Sequence, residues 1–229
     1  GTLSIFFSII GNPIIASYLI FGAALFDFLD GFAARVLNAY SELGKQLDSL
    51  ADLISFGLAP AIILFFEMAD TMGVSMVELD FSVFSFFDLF ILFSPIFLVV
   101  ASAFRLAKFN LNDEQTIHFL GLPTPASGLF FASIPLVRLS GDFPYLLNIL
   151  DQPITLFLLS LIISLLMISN IPMFSLKIKN LKDPANISVY ILIFISLVLL
   201  ILFYLKAVFA IIILYIFMAL VKTIILKKP

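Results

Sequence analysis

Cysteine is absent from this 229-residue sequence, which excludes a disulfide framework and any thiolate-bound metal. Histidine occurs once, as His118, in a polar break between apolar runs. A lone histidine in such a loop reads as an ordinary loop residue rather than a base. Charge is scarce, at 12% of residues. The net charge is −3, and no nucleic-acid partner is expected. Internal repeats and low-complexity linkers are missing too. No basic leader precedes the apolar start GTLSIFFSII, so a cleavable signal peptide is not expected.

What fills the sequence is hydrocarbon. Hydrophobic residues make up 62%, with 28 phenylalanines, against roughly 45–50% apolar in soluble domains. A core of this length cannot absorb that surface, and the excess must face lipid. Apolar runs alternate with short breaks carrying Gly11-Asn12-Pro13, Gly121-Leu122-Pro123, Gly141-Asp142 and Asp183-Pro184. Spans are expected at 1–10, 13–37, 49–67, 86–107, 124–138, 153–173, 187–204 and 206–223. The first is too short to cross a bilayer, and the sequence is expected to begin partway through that helix. Backbone polar groups must be satisfied within each span, and runs such as ILIFISLVLLILF lack the alternation of a membrane barrel. The fold expected is therefore an all-α polytopic membrane helical bundle. Lysine and arginine set its orientation. Ten of the twelve basic residues fall on one side, leaving only Arg138 and Lys206 opposite. The basic side is taken as cytoplasmic.

Against this background, residues 27–52 (DFLDGFAARVLNAYSELGKQLDSLAD) gather four aspartates at the cytoplasmic ends of the second and third spans. Asp27 and Asp30 are three apart and share a helix face, with Gly31 and Ala34 on the same stripe. Gly44, Asp48 and Asp52 repeat at four-residue steps on the next helix. Two antiparallel helices would thus direct four carboxylates at one spot, beside small residues that allow close approach. Four ionised carboxylates in one site repel unless protonated or paired with cations, and ionisable groups within a membrane mark function. Oxygen-only ligands suit Mg²⁺, Mn²⁺ or Ca²⁺, and four carboxylates suffice for two such ions, a device used in phosphoryl transfer. Interfacial solvation is the competing reading of any single aspartate, and the one adopted for Glu42 and Lys45.

The pattern D-x₂-D-G-x₂-A-R-x₈-G-x₃-D-x₃-D is satisfied in full by Asp27, Asp30, Gly31, Ala34, Arg35, Gly44, Asp48 and Asp52. It resembles the signature of the CDP-alcohol phosphatidyltransferase family. The resemblance implies that Asp27, Asp30, Asp48 and Asp52 hold two divalent ions, Mg²⁺ or Mn²⁺. It implies that Asp48 and Asp52 are catalytic, with Asp52 the general base, and that Asp30, Gly31, Ala34, Arg35 and Gly44 take the cytidine nucleotide. Three further stretches, Ser49–Pro60, Phe104–Asn110 and Gly121–Ser127, resemble the integral-membrane phosphatidylserine synthases of bacteria and archaea. The family architecture implied is a single transmembrane domain over 1–229. Its catalytic six-helix core covers 1–173, and a cytoplasmic connection with a two-helix C-terminal hairpin covers 174–229.

Arg105 and Lys108 lie three apart at the same membrane level as the aspartates, with Asn110 just beyond. They are candidates for the acceptor or a phosphate, since arginine recognises carboxylate or phosphate through two donors; snorkelling anchors are the alternative. Lys177 and Lys179 read as interfacial anchors. The resemblance implies transfer of a phosphatidyl group from CDP-diacylglycerol to L-serine, giving phosphatidylserine and CMP at the cytoplasmic face, in a homodimer among membrane lipids. Glycerol 3-phosphate or inositol phosphate as acceptor, a cation transporter built on membrane carboxylates, and a lipid-binding protein without chemistry remain competing readings.

Overall fold

The structure, a computed structural model, describes residues 1–37, 41–74, 84–111, 120–173 and 187–226. Its described residues are helical, with one isolated bridge between Leu120 and Pro172. Helix α1 (Thr2–Ile9) packs on α2 (Pro13–Val36), and the Ser4 hydroxyl donates to the Ala16 carbonyl at 2.8 Å. Asn12 begins α2 by accepting from the Ile15 amide at 3.1 Å. Pro13 follows at the first helical position, where its missing N–H leaves nothing unsatisfied.

Helix α3 (Glu42–Asp52) starts on Ser41, whose hydroxyl accepts from Gly44 N at 3.0 Å. It runs through a π-helical turn (Leu53–Leu58) into α4 (Ala59–Thr71). Pro60 accounts for that turn. It has no amide to donate, and its ring crowds the carbonyl four residues back, so the helix widens there.

The span expected over 86–107 is two helices, α5 (Phe86–Leu92) and α6 (Ile96–Leu111), bent by 44°. Ser85 and Asp88 form a capping box that starts α5, and Pro95 interrupts the break before α6. Helix α7 (Thr124–Ser140) ends at Gly141, whose φ of 66° is left-handed. Helix α8 (Pro144–Leu150) was not anticipated and crosses α9 (Pro153–Ile168) at 81°; α9 stops five residues short of the expected 173. The chain closes with α10 (Ile187–Phe203), a 3₁₀ turn (Tyr204–Lys206) and α11 (Ala207–Leu226).

Pro13–Val36, Glu42–Thr71 and Ile187–Thr223 are long and apolar enough to cross a membrane, and the two bent pairs raise that number to five. Ile187–Thr223 has 37 residues. Straight, it would reach about 55 Å, nearly twice the hydrocarbon thickness. Tyr204, at φ 54°, divides it, and α10 packs against α11 as a hairpin. Bands of exposed apolar side chains, such as Leu158, Ile162 and Leu165 of α9 and Phe194, Leu197 and Ile201 of α10, supply the lipid-facing surface. The protein is an all-α polytopic membrane bundle.

Helix α7 is the axis of the bundle. It packs on α2, α4, the π turn and α11, and buries Phe130, Phe131 and Ile134. A Cβ on its Gly128 would stand 2.8 Å from the Phe56 Cα, so glycine is what lets the π turn lie against α7. Val189, Phe209, Ile212 and Ala219 of the hairpin join the same buried cluster as α4, α6, α7 and α9.

Candidate metal and catalytic site

The C-terminal half of α2 and the C-terminal half of α3 bring their carboxylates together at one end of the bundle. Carboxylate oxygens of Asp27, Asp30 and Asp48 lie within 4.8 Å of one another there. A hard dication holds oxygens at about 2.0–2.6 Å, so opposed ligands stand about 4–5 Å apart. The triad therefore fits one such ion. Asp52, one helical turn along from Asp48, is half-buried where Asp30 and Asp48 are exposed. It lies outside the tight triad, yet interacts electrostatically with all three aspartates and with Arg105. The π turn begins at the next residue, so Asp52 stands where the helix changes pitch.

Beside the triad the backbone is open. A Cβ on Gly31 would meet nothing within 4 Å, and one on Gly44 would meet only the capping Ser41 hydroxyl, at 2.9 Å. Ala34 is half-buried. Arg35 folds back along α2, its Nε donating to the Gly31 carbonyl at 2.9 Å.

The three acceptor candidates all lie on α6, but they serve different contacts. Arg105 Nε donates to the Leu122 carbonyl at 2.6 Å. That carbonyl is fixed by the loop before α7. The Gly121 amide donates to Ile171 O at 2.9 Å, and a Cβ on Gly121 would come within 2.4 Å of Met167 O. Lys108 Nζ donates to Asn170 Oδ1 at 2.9 Å. Asn110 donates to Ser49 Oγ at 2.9 Å, and Lys45 Nζ donates to the Asn110 carbonyl at 3.3 Å. The second face of α3, built on Lys45 and Ser49 four residues apart, thus fastens the carboxylate-bearing helix to α6. Lys45 is partly buried in this joint rather than simply solvated. Ser49 opens the Ser49–Pro60 stretch of the sequence reading, but its bond to Asn110, sixty-one positions away, was not expected there. His118, Lys177 and Lys179 lie outside the described residues.

The opposite end holds Arg138 and Lys206, both in ion pairs. Arg138 reaches Glu67 at 2.7 Å, Asp151 at 2.9 Å and Asp70 at 3.1 Å, and Lys206 pairs with Asp142.

A polytopic helical bundle with an oxygen-ligand triad at one end, flanked by open glycines and a half-buried arginine, defines a membrane-integral enzyme suited to phosphate chemistry. The chain belongs to the CDP-alcohol phosphatidyltransferase family, whose model matches residues 2–225. It is 31% identical over 202 residues to the CDP-diacylglycerol–serine O-phosphatidyltransferase of Helicobacter pylori, covering 86% of this chain and 76% of that one. To the protein of the same name in Methanocaldococcus jannaschii it is 32% identical over 173 residues, covering 76% and 67%. The corresponding figures for Bacillus subtilis are 33% over 129 residues, 56% and 64%. Family membership assigns the protein to group transfer rather than ion transport.

Proposed function

We propose that the protein transfers the phosphatidyl group of CDP-diacylglycerol to L-serine, releasing CMP and phosphatidylserine. The observation that carries this is the Asp27, Asp30 and Asp48 triad in a chain whose relatives bear that name. Asp27, Asp30 and Asp48 would hold a divalent ion. Asp48 and Asp52 would share a second, Mg²⁺ or Mn²⁺ in each place. When bound, such ions neutralise charge on the diphosphate and on the departing CMP.

The remaining work falls to the chain's own side chains. Gly31, Ala34 and Gly44, with Asp30 and Arg35, form the nucleotide bed, and the open space over Gly31 supports this. Asp52 takes the proton of the serine hydroxyl, whose pKa lies far above neutrality. The serine oxygen then bonds to the phosphorus bearing the diacylglycerol, and the bond from that phosphorus to the CMP oxygen breaks. Arg105 faces the acceptor carboxylate or a phosphate, with Lys108 and Asn110 behind it. Its electrostatic coupling to Asp52 supports a shared site.

The site would open to the cytoplasm of a bacterial or archaeal cell, in keeping with ten of twelve basic residues on that side. The acyl chains of CDP-diacylglycerol would stay among the membrane lipids. The homodimer is inferred from the family alone.

The test is CMP release by purified protein with CDP-diacylglycerol and Mn²⁺ or Mg²⁺, with and without L-serine. Release that requires serine and metal, with a serine lipid as product, is expected. Release only with glycerol 3-phosphate or inositol phosphate would keep the chemistry and discard the acceptor. No release with any acceptor, from folded protein, would overturn the reading.

A further inference from the structure

Helix α3 carries one ligand of the triad, yet it is lightly held. It has no buried residue, and from Glu42 to Ala51 every residue is exposed except Lys45 and Ser49. Helical spacing divides it into three faces. Leu43, Leu47 and Leu50 are exposed on the first and suit the lipid side. Gly44, Asp48 and Asp52 form the second, and Lys45 and Ser49 the third. At its C-terminal end the helix runs on into the π turn.

Among the described residues, the side-chain hydrogen bonds that join α3 to another element all end on Asn110 of α6. Asn110 Nδ2 donates to Ser49 Oγ at 2.9 Å and, at 3.5 Å, to Gln46 Oε1. Lys45 Nζ donates to the Asn110 carbonyl at 3.3 Å. That carbonyl lies in the last turn of α6, where no amide further along the helix is available, so the ammonium fills a place the helix leaves open.

A helix springing from a π turn is a lever, because such turns are where helices bend. Asp48 stands five residues from Leu53, the first residue of that turn, or about 7.5 Å along the axis. A tilt of about 15° there moves its carboxylate by about 2 Å, whereas ion–ligand distances are held within roughly 0.2 Å. Asp27 and Asp30 belong to α2, so nothing within α3 preserves their grouping with Asp48. Ser49 is the next residue after Asp48, and its bond to Asn110 checks the tilt at the level of the ligand.

We propose that Ser49 is a positioning residue for Asp48: its hydrogen bond to Asn110 pins α3 to α6 and keeps Asp48 within an ion's reach of Asp27 and Asp30. This rests on the reading of that triad as a divalent-ion site. Asp52 adjoins the π turn and moves little when α3 tilts, so loss of the joint weakens ion binding without displacing the base.

The experiment titrates Mn²⁺ into the purified full chain without substrates and follows free Mn²⁺ by electron paramagnetic resonance. The parent is compared with Ser49→Ala, Asn110→Ala and the double variant, and Asp30→Asn, which removes a triad ligand, marks binding elsewhere. Each single change at the joint is expected to weaken Mn²⁺ binding about three- to tenfold. The double variant is expected to be no weaker than the weaker single one, since both changes break the same joint. In Ser49→Ala, raising Mn²⁺ should restore CMP release. Parent-like Mn²⁺ affinity in Ser49→Ala overturns the inference, whatever its melting temperature, and so does an additive loss in the double variant. Asn110→Ala that keeps its Mn²⁺ affinity but needs more L-serine also overturns it, since Asn110 then serves the acceptor. Parent protein that binds Mn²⁺ no better than Asp30→Asn overturns the ion site and this role with it. Parent protein that binds Mn²⁺ yet releases no CMP overturns the proposed function alone, and the titrations still decide the joint.

Discussion

At the scale of the residue, the four aspartates occupy two settings. Asp27, Asp30 and Asp48 share one tight space, whereas Asp52 is deeper and lies at the junction with the π turn. Asp48→Asn and Asp52→Asn are both expected to lower turnover by more than about a hundredfold, since losing even an outer partner of a metal ligand costs roughly ten- to a hundredfold. Both variants keep size and shape, so melting curves should match the parent. Substantial residual CMP release in either would remove the two-metal reading. Gly31→Leu probes the bed separately. Nothing stands within 4 Å of a Cβ there, so the fold tolerates the side chain. KM for CDP-diacylglycerol is expected to rise about tenfold or more through steric exclusion of the nucleotide, and an unaltered KM would discard the nucleotide bed. The shared face of these aspartates was legible because three- and four-residue spacing determines it. The grip of Arg105 on Leu122 O was not, because it joins residues seventeen apart through a loop whose path only tertiary packing decides.

At the scale of the element, proline and glycine explain both what was foreseen and what was missed. Asn12-Pro13 allowed α2 to be placed over 13–37, within one residue of its observed end at Val36. Pro60 did not advertise a π turn, because proline near a helix start is ordinarily harmless. Nor did the sequence show the room the turn needs, which Gly128 of α7 leaves against Phe56. Gly128→Ala is expected to destabilise the protein by about 1–3 kcal/mol through overpacking and also to cut activity, since the displaced turn follows Asp52 directly. Thermal melting together with CMP release checks this; normal melting and normal activity would refute it. The Arg138 network is a separate element-scale device, joining α4, α7 and the end of α8. Glu67 is only 6% exposed. Arg138→Ala strands that carboxylate and is expected to cost about 3 kcal/mol, the scale for breaking a buried pair. Turnover per folded molecule should stay at parent level, since the network lies at the other end of the bundle. Sequence could count Arg138 as a basic residue on the far side but not pair it, as Glu67 is seventy-one positions away.

At the scale of the whole molecule, divalent ions should link the site to global stability. Binding at a hundred times Kd stabilises a folded protein by about 2.7 kcal/mol. Mn²⁺ is therefore expected to raise the melting temperature of the parent, chelation to reverse it, and Asp30→Asn to abolish the shift. An equal shift in Asp30→Asn would place the ion elsewhere. The membrane class of the molecule was evident from composition, because an apolar excess of this size has no aqueous solution at this length. The number of helices was not, because bends at short breaks turn one apolar run into two rods without changing its hydropathy.

The site end of α2 shows its hydrocarbon beside its carboxylates: Phe26, Phe28, Leu29 and Phe32 are exposed around Asp27 and Asp30. For a lipid donor, this wall makes the approach two-dimensional. The donor arrives by lateral diffusion, and its relevant concentration is the number of molecules per unit area of bilayer. A water-soluble acceptor is counted per unit volume. Diluting the donor with inert lipid should therefore slow the reaction even when its total amount in the tube is constant, whereas diluting the vesicles in buffer should leave the turnover per enzyme unchanged.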